Sequence, residues 1–240
     1  EYKVLLEESS DHLIFDSFNV IIMITSESKK LDEIFTDCIS GGTITDIFGF
    51  RGTGKTNMAL QISLNLLKNE RNVLFIDTTG EFRPERLLEI VKNRNLDDSL
   101  LDRLQIARVT NTKEQITLTE KIKQFDNILL LIVDNVADLF SFEYSKKEQL
   151  SIQHHKFMNY MHDLSQLAIN KKIPVILTNQ LMQANDIEYE KMHYSISNFT
   201  HQKIKLEKKK NHYQGTVFSP HSTKAHFFYK IEKMGLVERS

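Results

Sequence analysis

The chain has 240 residues, 40% of them apolar and 26% charged, a globular mix that excludes extended disorder, collagen-like repeats and an overall coiled coil. At roughly 100–200 residues per domain, the length accommodates one sizeable domain with at most a small appendage. Its 31 Lys and Arg balance 32 Asp and Glu to a formal net charge of -1, which excludes a protein that coats nucleic acid by uniform positive charge.

Residues 1–18 read as a loosely patterned lead-in, and residues 19–240 as one core domain. The chain opens at Glu1 rather than Met, so features missing from its start carry no weight. The only cysteine, Cys38, cannot form an internal disulfide and reads as a small buried residue; with no signal-like opening segment, a reducing cytoplasmic home is expected. The longest apolar runs, residues 20–24 and 128–133, fall far short of the roughly 20 residues of a membrane helix, so no membrane partner is expected.

Thr43-Ile44-Thr45-Asp46-Ile47-Phe48 is β-branched and bracketed by Gly41-Gly42 and a glycine-rich turn, which predicts a strand. Residues 57–70 carry Met58, Ile62, Leu66 and Leu67 at the spacing of one helix face. Val73-Leu74-Phe75-Ile76-Asp77 predicts a second strand ending in a carboxylate, and residues 84–93 a helix with proline in its first turn. Residues 104–109 and 128–133 read as buried strands, the latter closed by Asp134. Leu150, His154, Phe157, Met161, Leu164 and Ala168 keep a helical period, and residues 174–179 form the next short apolar strand. Such alternation predicts an α/β fold with a mainly parallel sheet flanked by helices. Beyond Phe199, the segments at 203–206, 216–218 and 227–231 look like strands joined by polar turns, an antiparallel C-terminal extension.

Gly49-Phe50-Arg51-Gly52-Thr53-Gly54-Lys55-Thr56 fits the phosphate-binding pattern GxxxxGK(S/T) in full, between a predicted strand and a predicted helix. Backbone N–H groups of such a loop turn inward around phosphate oxygens, the helix N-terminus adds partial positive charge, and the Lys55 ammonium reaches the terminal phosphates. Thr56 supplies a hydroxyl to Mg²⁺, and a carboxylate at a neighbouring strand end completes the metal's surroundings. Asp134 is the choice for that carboxylate, although Asp77 also ends an apolar strand and strand position alone does not separate them.

These segments, taken in order, resemble the RecA-like strand-exchange ATPases, most closely the archaeal RadA and RadB branch with its eukaryotic recombinase paralogs. The similarity rests on Ser28-Lys29-Lys30-Leu31-Asp32-Glu33-Ile34, the phosphate loop, and Phe75-Ile76-Asp77-Thr78 with Phe82-Arg83-Pro84-Glu85-Arg86. It continues through Leu131-Ile132-Val133-Asp134, Met161-His162-Asp163-Leu164, Leu177-Thr178-Asn179-Gln180 and Phe218-Ser219-Pro220-His221. The resemblance implies a RecA-type P-loop core, ATP and Mg²⁺ bound at a subunit boundary, and work in DNA recombination or repair. It further implies that Gln180 senses the γ-phosphate ahead of a DNA-facing loop and that Arg83 lies near the adenine.

Two departures qualify that expectation. The family carries its water-polarising glutamate immediately after Asp-Thr, whereas here Thr79 follows Asp77-Thr78 and the acid is Glu81, two positions on. Along an extended segment that is roughly 6–7 Å, a shift that matters for a base that must reach the water directly or through one relay: either the loop rearranges so that Glu81 serves, or the chain binds ATP and hydrolyses it poorly. Residues 181–197 contain no glycine and a single basic residue, Lys191, unlike the family's glycine-bearing strand-exchange loop.

The net charge conceals a division: from His201 onward nine Lys and Arg stand against three Asp and Glu, while residues 1–200 carry 22 against 29. Lys203, Lys205, Lys208, Lys209 and Lys210 form the densest basic run, read either as a lysine-protected, solvated edge strand or as a DNA-phosphate patch. Phe140, Phe142 and Tyr144 either stack on bases or pack against the next helix. Nine histidines lack partners at zinc-site spacing. The reading is an ATP-binding accessory paralog with weak or DNA-dependent hydrolysis, using Lys55, Glu81 and Gln180, with single-stranded DNA and a RadA-type recombinase or its own copies as partners. A KaiC-like signalling ATPase and a non-hydrolysing scaffold stay open beside it.

Overall fold

The β-branched run after Gly41-Gly42 forms β1, Ile44–Gly49, whose residues are almost all buried because strands flank it on both sides. The computed structural model describes Ile34 and residues 40–67, 72–125, 127–210, 212–219 and 222–239. The lead-in at 1–18, the apolar run at 20–24, most of the segment at 28–34, Cys38, the last residues of the first predicted helix and Pro220-His221 lie outside the described residues.

After β1 come α1 (Lys55–Leu66), β2 (Asn72–Asp77), α2 (Pro84–Asn93), β3 (Leu104–Arg108), α3 (Thr112–Ile122), β4 (Ile128–Asp134), α4 (Asp138–Glu143) and α5 (Leu150–Lys171). The chain continues through β5 (Val175–Ala184), β6 (Ile187–Glu190), α6 (His193–Ser197), β7 (Gln202–Lys208), β8 (Tyr213–Ser219), β9 (Ser222–Glu232) and β10 (Gly235–Glu238). The strands form one sheet in the order β10-β9-β8-β7-β1-β5-β4-β2-β3, with β6 paired to β5 beyond the sheet's main path. All pairs from β7 through β1, β5, β4 and β2 to β3 are parallel, and those from β7 to β10 are antiparallel. The α/β architecture is therefore the expected one. Parallel strands covered on both faces carry continuous apolar runs, and all of β4 is buried. No helix among the described residues is long and apolar enough to cross a membrane.

Two layers of side chains cover the sheet. On one side α1 and α2 pack with residues of β8 to β10, including Val217, Phe227, Tyr229 and Leu236. On the other, Phe140 of α4 meets Phe157 and Tyr160 of α5 at centroid distances of 5.1 and 5.4 Å.

Four expectations need correction. α1 is not a one-faced helix, because Met58 through Leu66 are all buried: β10 lies against it and Gln61 exchanges hydrogen bonds with Leu236 at 2.8 and 3.2 Å. Among the described residues β3 is no buried strand but the sheet's outer edge, paired only to β2, with Ile106 40% exposed. β7 belongs to the parallel part on one side, pairing with β1, and to the antiparallel part on the other, so it is an interior strand rather than a lysine-protected edge. β5 runs five residues past Asn179 and turns back as β6, where the sequence suggested only a departing loop.

β8 and β9 approach so closely at Gly215 that a Cβ there would lie 1.9 Å from Cζ of Phe227, its cross-strand partner, which is almost fully buried. Gly215→Ala is expected to destabilise the protein by about 1–3 kcal/mol through overpacking. Urea unfolding should show a lower midpoint with an unchanged slope.

Candidate nucleotide site

β1 ends at Gly49, which pairs with Gln180 of β5 on one side and Leu206 of β7 on the other. A Cβ at Gly49 would stand 2.2 Å from the Leu206 carbonyl oxygen, so glycine is needed for the two strands to meet where the phosphate loop begins. Gly54, with φ of 94°, occupies the left-handed region and starts α1, a conformation that favours glycine. Between them Thr53 donates through its hydroxyl to the Phe50 carbonyl at 2.8 Å, and the Lys55 ammonium donates to the carbonyls of Gly49 and Phe50 at 3.0 and 3.1 Å. Lys55 is thus folded back along its own loop.

The Thr56 hydroxyl donates to Oδ2 of Asp134 at 2.8 Å, and Thr178 of β5 donates to Oδ1 of the same carboxylate. Burial pushes the Asp134 carboxyl above its ordinary pKa, while Thr178, Thr56 and the Lys55 charge act in the opposite direction. Burial also lowers the Lys55 pKa, against the pull of Asp134, Asp138 and Glu81. Asp77 plays a different part: its Oδ1 accepts from the backbone of Thr79 and Gly80 at 3.0 and 2.7 Å and from the Thr79 hydroxyl at 3.1 Å. The structure thereby separates the two strand-end carboxylates, one facing Thr56 and the other fastening the loop after β2.

A cavity of about 410 Å³, within the range of small-molecule sites, brings together Lys55, Thr56, Thr79, Glu81, Asp134 and Gln180, with Arg51, Gly52 and Gly54 at its border. Glu81 reaches this cavity, yet it is 59% exposed and ion-paired with Arg51. Thr79, in the position after Asp77-Thr78, presents a hydroxyl instead of a carboxylate. Arg83 is exposed at the N-cap of α2 and is not among the residues lining the cavity. An ammonium, a hydroxyl and a carboxylate converging at a glycine loop suit hard phosphate oxygens and Mg²⁺.

A sequence model of the Rad51 family matches residues 18–235. The chain belongs to the Rad51 family. It is 33% identical over 187 residues to the DNA repair and recombination protein RadA of Aeropyrum pernix, covering 74% of this chain and 58% of that one. RadA of Ignicoccus hospitalis is 33% identical over 181 residues (69% and 55%), and RadA of Metallosphaera sedula 34% over 177 residues (69% and 55%). The chain spans just over half the length of these relatives.

The Rad51-family match covers the basic run near the C-terminus, where the lysines divide. Lys203 pairs with Asp46 at 3.1 Å and Glu190 at 2.6 Å, and its ammonium lies 4.8 Å from the Phe48 ring centre. Lys205 pairs with Glu188 and Glu207 at 2.9 and 3.3 Å, and Lys209 with Glu207 at 3.4 Å. Lys208, Lys209 and Lys210 are exposed around the turn into β8. Phe140 is core, Phe142 is 81% exposed, and the hydroxyl of Tyr144 accepts from Lys156 at 2.6 Å.

Sequence reasoning missed Thr178, Asp138 and Tyr229. Thr178 had a signal, since it stands one residue before Asn179-Gln180 on the strand beside Asp134. Tyr229 had none, because its hydroxyl donates at 2.6 Å to the Thr53 carbonyl 176 residues earlier. Tyr229→Phe leaves that buried carbonyl unpaired; it is expected to cost about 1–3 kcal/mol of stability and to weaken Mg-ATP binding, as read by thermal melts with and without nucleotide.

Proposed function

We propose that this chain binds Mg-ATP and serves DNA recombination and repair as an accessory member of its family, with weak or DNA-dependent hydrolysis. The phosphate-loop amides and Lys55 would hold the phosphates, Thr56 and Asp134 would face Mg²⁺, and Gln180, one strand away from Gly49, would face the terminal phosphate. Bound Mg²⁺ supplies charge neutralisation on the phosphates. The observation that carries the reading is the combination of a complete phosphate loop with Thr79 in the base position and Glu81 tied to Arg51. A hydroxyl does not accept a proton from water at neutral pH, so base-assisted turnover would need Glu81 to leave Arg51 and swing inward. Absence of a positioned base reduces rate by about 10²- to 10⁴-fold while leaving phosphate binding in place.

Single-stranded DNA is the proposed nucleic-acid partner, and a RadA-type recombinase or further copies of this chain the protein partner at the nucleotide site. The RadA names of the similar proteins support recombination and repair. The ion pairs of Lys203 and Lys205 leave the turn at Lys208, Lys209 and Lys210 as the first place for phosphate-backbone contact. The Glu81–Arg51 tie equally favours a second reading, a non-hydrolysing ATP-dependent scaffold, which shares the binding site and differs only in turnover.

ATP binding and hydrolysis measured with and without single-stranded DNA, for the parent, Lys55→Ala and Glu81→Gln, test both. The parent is expected to bind Mg-ATP, with Lys55→Ala losing at least tenfold in affinity; a parent that fails to bind overturns the proposal. DNA-stimulated turnover that collapses in Glu81→Gln supports the displaced base, whereas binding without turnover in every case supports the scaffold. With about three lysine contacts, DNA affinity should fall roughly 20-fold between 50 and 200 mM salt. Replacing Lys208, Lys209 and Lys210 with Ala should flatten that dependence.

A further inference from the structure

Asp138 opens α4 four residues beyond Asp134 and lines the nucleotide cavity, close enough to Lys55 for its charge to support the ammonium. Its Oδ1 accepts a hydrogen bond from the Lys191 ammonium at 2.8 Å. Lys191 is the single Lys or Arg between residues 181 and 197, and it stands just after β6, where the hairpin that follows Gln180 returns to the sheet. Its backbone is fastened to that sheet end: Lys191 N donates to the Gln180 carbonyl at 3.4 Å, and Asn179 Nδ2 donates to the Lys191 carbonyl at 2.8 Å. The two side chains are 23% and 27% exposed; Asp138 lines the cavity, whereas Lys191 stands outside that lining behind it, partly open to solvent, so the ammonium can change partners.

We propose that Lys191 is a second cation for the terminal phosphate of a nucleoside triphosphate, held beside the cavity by Asp138 until that phosphate arrives. This rests on the nucleotide-binding reading above. The cavity is acidic for a polyanion: Asp134, Asp138 and Glu81 face Lys55, and the remaining cation, Arg51, is already paired with Glu81. A terminal phosphate seated against Lys55 places like charge near the Asp138 carboxylate, and the ammonium between them relieves the repulsion. A lysine suits the role, because its long stem lets the charge move while the backbone stays hydrogen-bonded to Asn179 and Gln180. A diphosphate brings no such group and leaves the Asp138–Lys191 pair intact. Occupancy by the triphosphate is thereby communicated to the hairpin through Lys191 as well as through Gln180 within β5.

A simple structural pin between α4 and the hairpin predicts something different. If the pair only joins two elements, breaking it from either side has the same effect. If Lys191 serves the phosphate and Asp138 competes for it, the two substitutions act in opposite directions. Affinities for Mg-ATP and Mg-ADP should therefore be measured for the parent, Lys191→Met, Lys191→Arg, Asp138→Asn and the Asp138→Asn/Lys191→Met double variant, with thermal melts verifying folding. Lys191→Met is expected to lower the ATP-to-ADP affinity ratio about tenfold, Lys191→Arg to retain most of it, and Asp138→Asn to raise it several-fold. In the double variant most of that gain should vanish. Shifts of the same sign in Lys191→Met and Asp138→Asn, or a ratio unchanged by Lys191→Met, would overturn the proposal while leaving nucleotide binding standing. A parent that binds neither nucleotide overturns both.

Discussion

Asp134 is a carboxylate almost wholly removed from water, and such a group is tolerated inside a protein only when its oxygens are occupied. Its oxygens accept from Thr56 at the start of α1 and from Thr178 on β5, and its backbone carbonyl accepts from Thr78 at 2.8 Å at the end of β2. The ends of β2 and β4, the interior of β5 and the start of α1 are therefore fixed relative to one another around a single residue. The position of Lys55 follows, because it is the residue before Thr56. Removing any one hydroxyl would leave part of a buried charge unmatched, so the same contacts that shape the nucleotide cavity also stabilise the middle of the sheet.

A second buried charge cluster does comparable work on the far side of β1. Asp46 is fully buried, and burial, reinforced by the neighbouring Glu190 charge, raises its pKa well above the ordinary carboxylate value. Burial also acts to raise Glu190, but its proximity to Asp46 and its contacts with Lys203 prevail and hold it below the ordinary value. Glu190 further accepts from Asn179 at 3.0 Å and contacts His193 at 3.0 Å. The β5–β6 hairpin is thus tied to β1 and β7 through charge, where the strand-exchange ATPases that the sequence resembles carry a glycine-bearing loop.

Much of this architecture was legible in the residues. Local patterns exposed β1, β2, β4 and α5, because a β-branched run, an apolar run ending in a carboxylate and a 3.6-residue period each reflect a requirement of the element itself. The phosphate loop was equally plain, its glycines being demanded by the backbone. Lys203 and Lys205 alternate with Ile204 and Leu206 along β7, and both apolar residues are buried. What the pattern could not disclose is what occupies the lysine side: Lys203 finds Asp46, 157 residues earlier, and Glu190 across the sheet. Strand order and pairing direction are likewise properties of distant partners, which is why β7 looked like an edge and β3 like a core strand. The Thr79 departure was visible at once, but its consequence, Glu81 drawn toward Arg51, depends on how the loop after β2 is fastened by Asp77.

The lapping of the last strands over the first helix bears on how the protein comes off the ribosome. Thr53 waits for the hydroxyl of Tyr229, and Gln61 for the backbone of Leu236. A nascent chain can build β1 to β5 early, yet its phosphate loop lacks these restraints until residue 236 has emerged from the exit tunnel. Translation therefore imposes a schedule: the segment that announces the function earliest in the message is among the last to acquire its final shape.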